Sequence, residues 1–124
     1  MNAPEHLFYT KDHEWVLIEN NLATIGITDF AQSELGDIIF IEMPEIGIKV
    51  ANGDTIGTIE AVKTVADIYA PLSGIISEIN TAVEDSPENV NKDPYHTGWI
   101  AKITLESTNI DNLLSAVQYK EFIN

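Results

Sequence analysis

A lysine stands near the middle of a segment built to fold back on itself. Asp54 to Ile76 reads DTIGTIEAVKTVADIYAPLSGII. Residues that favour strands lie on both sides of Lys63: Thr55, Ile56, Ile59 and Val62 before it, and Val65, Ile68 and Tyr69 after it. Turn signals bracket the whole, Asn52-Gly53 upstream and Pro71-Leu72-Ser73-Gly74 downstream. A chain that runs out, reverses at Lys63 and returns sets that lysine at a hairpin tip, its ammonium carried on a flexible stem away from the body. The tip itself, Val62-Lys63-Thr64, holds none of the Asn-Gly or Gly-Gly pairs that close a tight two-residue turn. A type I turn needs no glycine, but one long strand over the same residues is an equal alternative.

The rest of the chain reads as short strands separated by turns. Trp15 to Ile18 and Leu22 to Ile27 form a hairpin about Asn20-Asn21, Asn being tolerant of positive φ. Asp29 is the expected N-cap of a short helix, with Gln32 as its capping-box partner and Gly36 as its stop. Asp37 to Glu42 is apolar almost throughout, so both of its faces are expected to be covered. Ile75 to Asn80 is a further strand, with Ile75, Ser77 and Ile79 on one face. Thr81 to Thr97 is rich in turns, with one helical turn opened by Ser86 and Pro87. Trp99 to Leu105 alternates as a final strand, and Thr108 or Asn109 caps a C-terminal helix whose apolar set is Ile110, Leu113, Leu114 and Val117. The expected organisation is a single domain over residues 1–124, with a loose N-terminus at 1–6, the lysine hairpin at 54–76 and a C-terminal helical segment at 109–124. Its class is mainly β: a flattened barrel or sandwich with short helices at its edges and a helix at its C-terminus.

Charge narrows the partners. Twenty acidic residues oppose six basic ones, a net charge of −14, and no basic residue is Arg. Such a surface repels phosphate backbones, so nucleic acid is not an expected partner. It favours partners with basic docking faces. There is no Cys, hence no disulfide framework and no thiol nucleophile. The longest apolar runs fall far short of a membrane span. The opening MNAPEHLFYT has neither a basic apolar signal nor an Arg-rich transit pattern, and the expected location is the cytoplasm. His6, His13 and His96 are too scattered to suggest a metal site, and no P-loop, dinucleotide fingerprint or nucleophile elbow is present. No catalytic residue is therefore assigned.

Glu60-Ala61-Val62-Lys63 with Gly74 downstream resembles the modified-lysine hairpin of the biotinyl/lipoyl domain family. Biotinyl domains usually flank the lysine with Met; Val62 and Thr64 here resemble the lipoyl branch. The likeness runs further. Tyr9 to Val16, Gly26 to Gln32 with Leu35 to Ile38, the lysine segment through Asp67 and Tyr69-Ala70-Pro71, and Val90-Asn91 with Pro94-Tyr95 and Gly98-Trp99 resemble, in order, the signatures of the H-protein family of the glycine cleavage system. Ala61 departs from the family's usual Ser, and Asn89 from its usual Leu.

That resemblance implies a carrier, not an enzyme. Lys63 would bear lipoate as an amide, in a fold of the biotinyl/lipoyl type. An exposed lysine amine is protonated at neutral pH and a poor nucleophile, so a lipoate ligase or octanoyltransferase must supply an activated acyl group. The arm would receive an aminomethyl group from glycine decarboxylase, a pyridoxal-phosphate enzyme. It would yield that group to the tetrahydrofolate-dependent aminomethyltransferase, and dihydrolipoyl dehydrogenase would reoxidise its thiols. The carrier is expected to act as a monomer without a membrane partner. Glu14 and Asp67 match family positions that serve the cleft for the loaded arm, whose amine is cationic and whose cargo is prone to hydrolysis. Glu60, Val62 and Gly74 are assigned to recognition by the lipoylating enzyme. His13 is expected to be packed and hydrogen-bonded, and Trp15 and Trp99 to be core or hairpin residues. Rival readings are a donor of lipoyl groups to other complexes, a biotinyl carrier, and an unmodified interaction module.

Overall fold

A computed structural model describes residues 2–107 and 109–124. Among the described residues nine strands form two antiparallel sheets. The larger has the order β1 (Phe8–Tyr9), β2 (Glu14–Glu19), β3 (Leu22–Ile27), β9 (Ala101–Leu105), β8 (Gly74–Ile79) and β5 (Lys49–Val50). The smaller has the order β4 (Ile38–Glu42), β6 (Thr55–Ala61) and β7 (Val65–Tyr69). The two share one core, in which Val16, Ile25 and Ile103 of the larger sheet meet Ile41, Ile59 and Ile68 of the smaller. The expected class holds in its sandwich form. Among the described residues neither sheet closes on itself, so no barrel is made.

Local chemistry explains most elements. The β2–β3 turn places Asn20 at φ 58°, the left-handed conformation that Asn accepts. Trp15 lies opposite Gly26, where a β-carbon would stand 2.6 Å from the indole nitrogen; that nitrogen donates instead to the Pro94 carbonyl at 2.9 Å. Helix α1 (Asp29–Leu35) ends on Gly36 as expected. Its N-cap, however, is Thr28, whose hydroxyl accepts from the Ala31 N–H at 3.1 Å. Asp29 instead sits in the first turn and accepts from the Gln32 side chain at 2.9 Å. An acid there is still favourable to the helix, which is why the two positions are hard to tell apart by sequence.

Several expectations are corrected. β4 is covered on one side only: Ile38 and Ile41 enter the core, while Ile39 and Phe40 are 57% and 49% exposed. The cause is a register shift between Ile38 and Phe40 that turns two consecutive side chains outward on an edge strand. In β8 Ile75, Ser77 and Ile79 do not share one face: Ile75 and Ser77 are exposed, while Ile76 is in the core and Ile79 packs against it, because the strand is irregular between Ile76 and Glu78. The turn-rich segment contains two short helices, α2 (Thr81–Asp85) and α3 (Glu88–Lys92), pinned by buried Val83 and Val90. Pro87, not Ser86, holds the N-cap position of α3.

The C-terminal helix α4 spans Ala116–Ile123, not 109 onward, and is capped by Ser115 in a capping box with Gln118. It cannot start earlier because Leu114 is held extended against Tyr9, with backbone hydrogen bonds of 2.7 and 2.8 Å in both directions. Asn109 is no cap, Val117 faces outward, and Thr108 lies outside the described residues. The expected loose end at 1–6 is docked from Asn2 onward. Ala3 is 3% exposed, and Pro4 and Asn2 accept hydroxyl hydrogen bonds from Tyr9 and Tyr95 at 2.6 and 2.5 Å. Ala3, Leu7, Tyr9, Trp15 and Tyr119 form a second small core, in which the Tyr9 and Tyr119 rings stack at 4.7 Å.

Candidate functional site: a lysine tip beside an acidic cavity

The segment about Lys63 is a hairpin. β6 and β7 pair from Thr55↔Tyr69 through Glu60↔Val65, and the Ala61 N–H donates to the Thr64 carbonyl at 2.8 Å, leaving Val62 and Lys63 as the loop. Neither loop residue adopts a positive φ. The turn is therefore not held by its own backbone preference. It is tied from outside: the Val62 N–H donates to the Asp37 carbonyl at 3.0 Å, in the link between α1 and β4. The lysine stem crosses Gly36, where an added β-carbon would sit 3.4 Å from Lys63 Cε and 3.9 Å from Nζ.

Beside this crossing lies a cavity of about 460 Å³. Phe30, Ala31 and Leu35 of α1, Ile27, and Ile59 and Ala66 of the hairpin make its apolar walls. Asp12, Glu14, Glu34 and Asp67 supply its carboxylates. Leu35 is the neighbour of Gly36, so the lysine stem and the cavity wall are contiguous.

Glu14 is the distinctive member. The side chain is buried, at 2% exposure, and fixed at both oxygens: Thr10 Oγ1 donates to Oε1 at 3.1 Å, and the Tyr69 N–H donates to Oε2 at 2.8 Å. Burial pushes its pKa up to about 8, against the pull of those two donors. At neutral pH the site thus holds a carboxyl that a cation would readily convert to carboxylate. Asp67 is exposed at the rim, where the Tyr69 hydroxyl donates to it at 3.4 Å. His13 is packed as expected, with φ 65°, its ring against Phe30 and Phe122, and Nδ1 2.9 Å from the Tyr119 hydroxyl. Burial lowers its pKa, which favours the neutral ring.

Of the residues expected from sequence, Glu14 and Asp67 line one cavity; Lys63 does not line it, but its stem passes over Gly36, next in the chain to the wall residue Leu35. Glu60 and Val62 are exposed near the tip, Glu60 in a row with Phe40 and Val65 on the outer face of the smaller sheet. Gly74 is not near them. It starts β8 beside the base of the hairpin, buried, where a β-carbon would collide with the Thr104 carbonyl oxygen. Packing alone accounts for glycine there, and it is not the turn former that its sequence neighbours suggest. Gly53 is one, at φ 94°. Sequence reasoning missed Thr10, the Tyr69 N–H and the α1 wall. The four residues Thr10–His13 join β1 to β2 in a tight turn with His13 at positive φ, and nothing in their sequence marks the Thr10 hydroxyl as a partner of Glu14.

Among the described residues no cluster of His, Asp and Glu could hold a metal ion, and no helix is long and apolar enough to cross a membrane. The model of the glycine cleavage H-protein family matches residues 7–124. A glycine cleavage system H protein of Staphylococcus epidermidis is 53% identical over 124 residues, 99% of this chain and 98% of that one. One from Herpetosiphon aurantiacus is 54% identical over 123 residues, 99% and 95% of the two chains. The crystal structure of a glycine cleavage system H protein from Mycobacterium marinum superposes with a TM-score of 0.90 at 38% identity, covering 96% of this chain and 97% of that one. The chain belongs to the glycine cleavage H-protein family, the lipoyl-carrying and non-catalytic component of the glycine cleavage system.

Proposed function

We propose that Lys63 is the residue that carries lipoate, and that the Glu14 cavity receives the loaded end of the arm. The observation that supports this most is the continuity of tip and cavity: the lysine stem crosses Gly36, and the next residue, Leu35, already lines the space that reaches Glu14. The residues suit the group. Gly36 leaves room where an acylated stem must pass, Ile27, Phe30, Leu35 and Ile59 offer an apolar wall to an alkyl chain, and Glu14 and Asp67 offer carboxylates to a cationic amine. When bound, lipoate supplies the sulfur pair that takes up an aminomethyl group and gives it up.

The chain's own residues do the rest. Acylation removes the charge of Lys63 and lets the stem lie along an apolar wall. The walls exclude water from a cargo that water would destroy. An arriving neutral amine takes the proton of Glu14 and becomes the ammonium; an amine that arrives already charged lowers the Glu14 pKa so that the proton leaves to water, because an adjacent positive charge favours the carboxylate. The Tyr69 N–H and the Thr10 hydroxyl then hold that carboxylate in one orientation. The partners in this reading are the pyridoxal-phosphate glycine decarboxylase, the tetrahydrofolate-dependent aminomethyltransferase, dihydrolipoyl dehydrogenase, and the ligase or octanoyltransferase that modifies Lys63. The net charge of −14 steers the carrier, acting as a monomer in the cytoplasm, toward basic faces on those partners.

The test is the intact mass of the protein from lipoate-supplied cells, with Lys63→Ala beside it. A lipoyl increment in the first and none in the second is expected. A biotin increment would move the reading to carboxylase chemistry, and no increment even with added lipoate ligase would overturn it.

A further inference from the structure

The lysine tip is held by a contact that the hairpin does not supply, and that contact leads to Asn91. The loop Val62–Lys63 lacks the positive-φ residues that normally stiffen so short a turn. Its external tie is the Val62 N–H on the Asp37 carbonyl. Asp37 is exposed and lies in the link between a helix end and an edge strand, which by itself is a weak place to anchor anything. Both neighbours of Asp37 are fixed by one side chain. Asn91 Nδ2 donates to the Gly36 carbonyl at 2.8 Å and to Gln32 Oε1 at 3.1 Å, and Asn91 Oδ1 accepts the Ile38 N–H at 2.9 Å. The amide thus satisfies the carbonyl of Gly36, the C-cap of α1, and the first N–H of β4 together. Asn91 is itself held firmly: it follows fully buried Val90 on α3.

We propose that Asn91 is a positioning residue for Lys63. It fixes Gly36-Asp37-Ile38, and through the Asp37 carbonyl it fixes the acceptor tip, while Gly36 is the floor that the lysine stem crosses. The part of this proposal that concerns acylation rests on Lys63 being the modified residue; the part that concerns order at the tip does not. An amide is required because the link needs a donor on one side and an acceptor on the other, and among side chains of that length only Asn has both.

The experiment compares wild type, Asn91→Ala and Asn91→Asp by backbone amide hydrogen exchange and by acylation with lipoate ligase. Asp keeps the shape and the acceptor for Ile38 but loses the donor to Gly36, so it decides the matter where the alanine variant does not fold. In either variant the Val62 amide should exchange about tenfold faster, the effect of one lost hydrogen bond, while the Ile25 and Ile59 amides of the core keep their protection. The KM for the acceptor protein should rise about tenfold with kcat unchanged, since a disordered tip must be ordered on binding. Unchanged Val62 exchange and unchanged KM in a folded variant would overturn the proposal. So would loss of protection at Ile25 and Ile59 together with Val62, which would make Asn91 a residue of general stability. If wild type takes no lipoyl group, the reading of Lys63 fails, and the exchange data still decide the role of Asn91.

Discussion

The Glu14 carboxylate accepts the Tyr69 backbone N–H at 2.8 Å, across 55 residues of sequence. The bond joins β2 of the larger sheet to the end of β7 in the smaller, so the carboxyl at the cavity is held by the lysine hairpin itself. Any movement of one is felt by the other. With Thr10 on the second oxygen, the carboxyl has one orientation and no freedom to turn away.

Replacing Glu14 by Ala should leave acylation of Lys63 intact and weaken retention of the loaded arm. A charge-assisted hydrogen bond in a sheltered site is worth on the order of 2 kcal/mol, so loss of ammonia and formaldehyde from the loaded carrier should accelerate at least about tenfold. The decay can be followed by intact mass. A decay rate equal to that of wild type would remove Glu14 from this role.

The same residue sets a pH dependence of stability. Burial raises the Glu14 pKa to about 8 in the folded protein, above the unfolded value of about 4.3. A carboxyl that holds its proton more tightly when folded contributes fully below its unfolded pKa, and that contribution is lost as pH rises toward the folded value. The melting temperature should therefore fall between pH 5 and pH 8 in wild type. Glu14→Gln, which keeps an acceptor for Tyr69 and can donate to Thr10, should flatten that decline and be the more stable protein at pH 8. Parallel curves for the two proteins would show that Glu14 ionises normally.

Glu60 is exposed beside the tip on the outer face of the smaller sheet, away from the cavity. Glu60→Ala should slow acylation by the lipoylating enzyme about tenfold, the cost of one charge-assisted contact, without changing the melting temperature. Decay of the loaded arm should not respond. Acylation at the wild-type rate would refute recognition through Glu60.

Gly74→Ala separates packing from recognition. The new methyl would press on the Thr104 carbonyl and stand 2.7 Å from Ile103 Cγ2. Overpacking of this kind costs about 1–3 kcal/mol, several degrees of melting temperature. Folded Gly74→Ala protein should still be acylated at the wild-type rate. A stable variant that resists acylation would restore Gly74 to the recognition set.

What was legible in the sequence is local. Strand-forming residues on both sides of Lys63, the turn at Gly53 and the turn at Asn20 are all legible, because backbone preference acts within a few residues, whereas the choice between a hairpin and one long strand at Lys63 is not. The helix cap lies one position before the one the sequence favours, because Thr28 and Asp29 are both good residues at a helix start. The apolar run in β4 suggests cover on both sides, yet composition cannot reveal a bulge or which strand lies at a sheet edge.

The sequence by itself determined a strongly acidic, mainly β chain with a lysine flanked by strand-forming residues, since charge and strand preference are properties of the residues themselves; the reversal at that lysine was decided by the tie of the Val62 N–H to the distant Asp37 carbonyl. Only the tertiary structure decided that Glu14 would be buried with a raised pKa, that Asn91 would hold the link under the tip, and that Gly74 would serve packing. Each of these depends on which distant backbone group comes within hydrogen-bond or van der Waals reach: Tyr69 for Glu14, Gly36 and Ile38 for Asn91, and Thr104 for Gly74. Those proximities are created by sheet pairing and sandwich closure, not by neighbours in the chain.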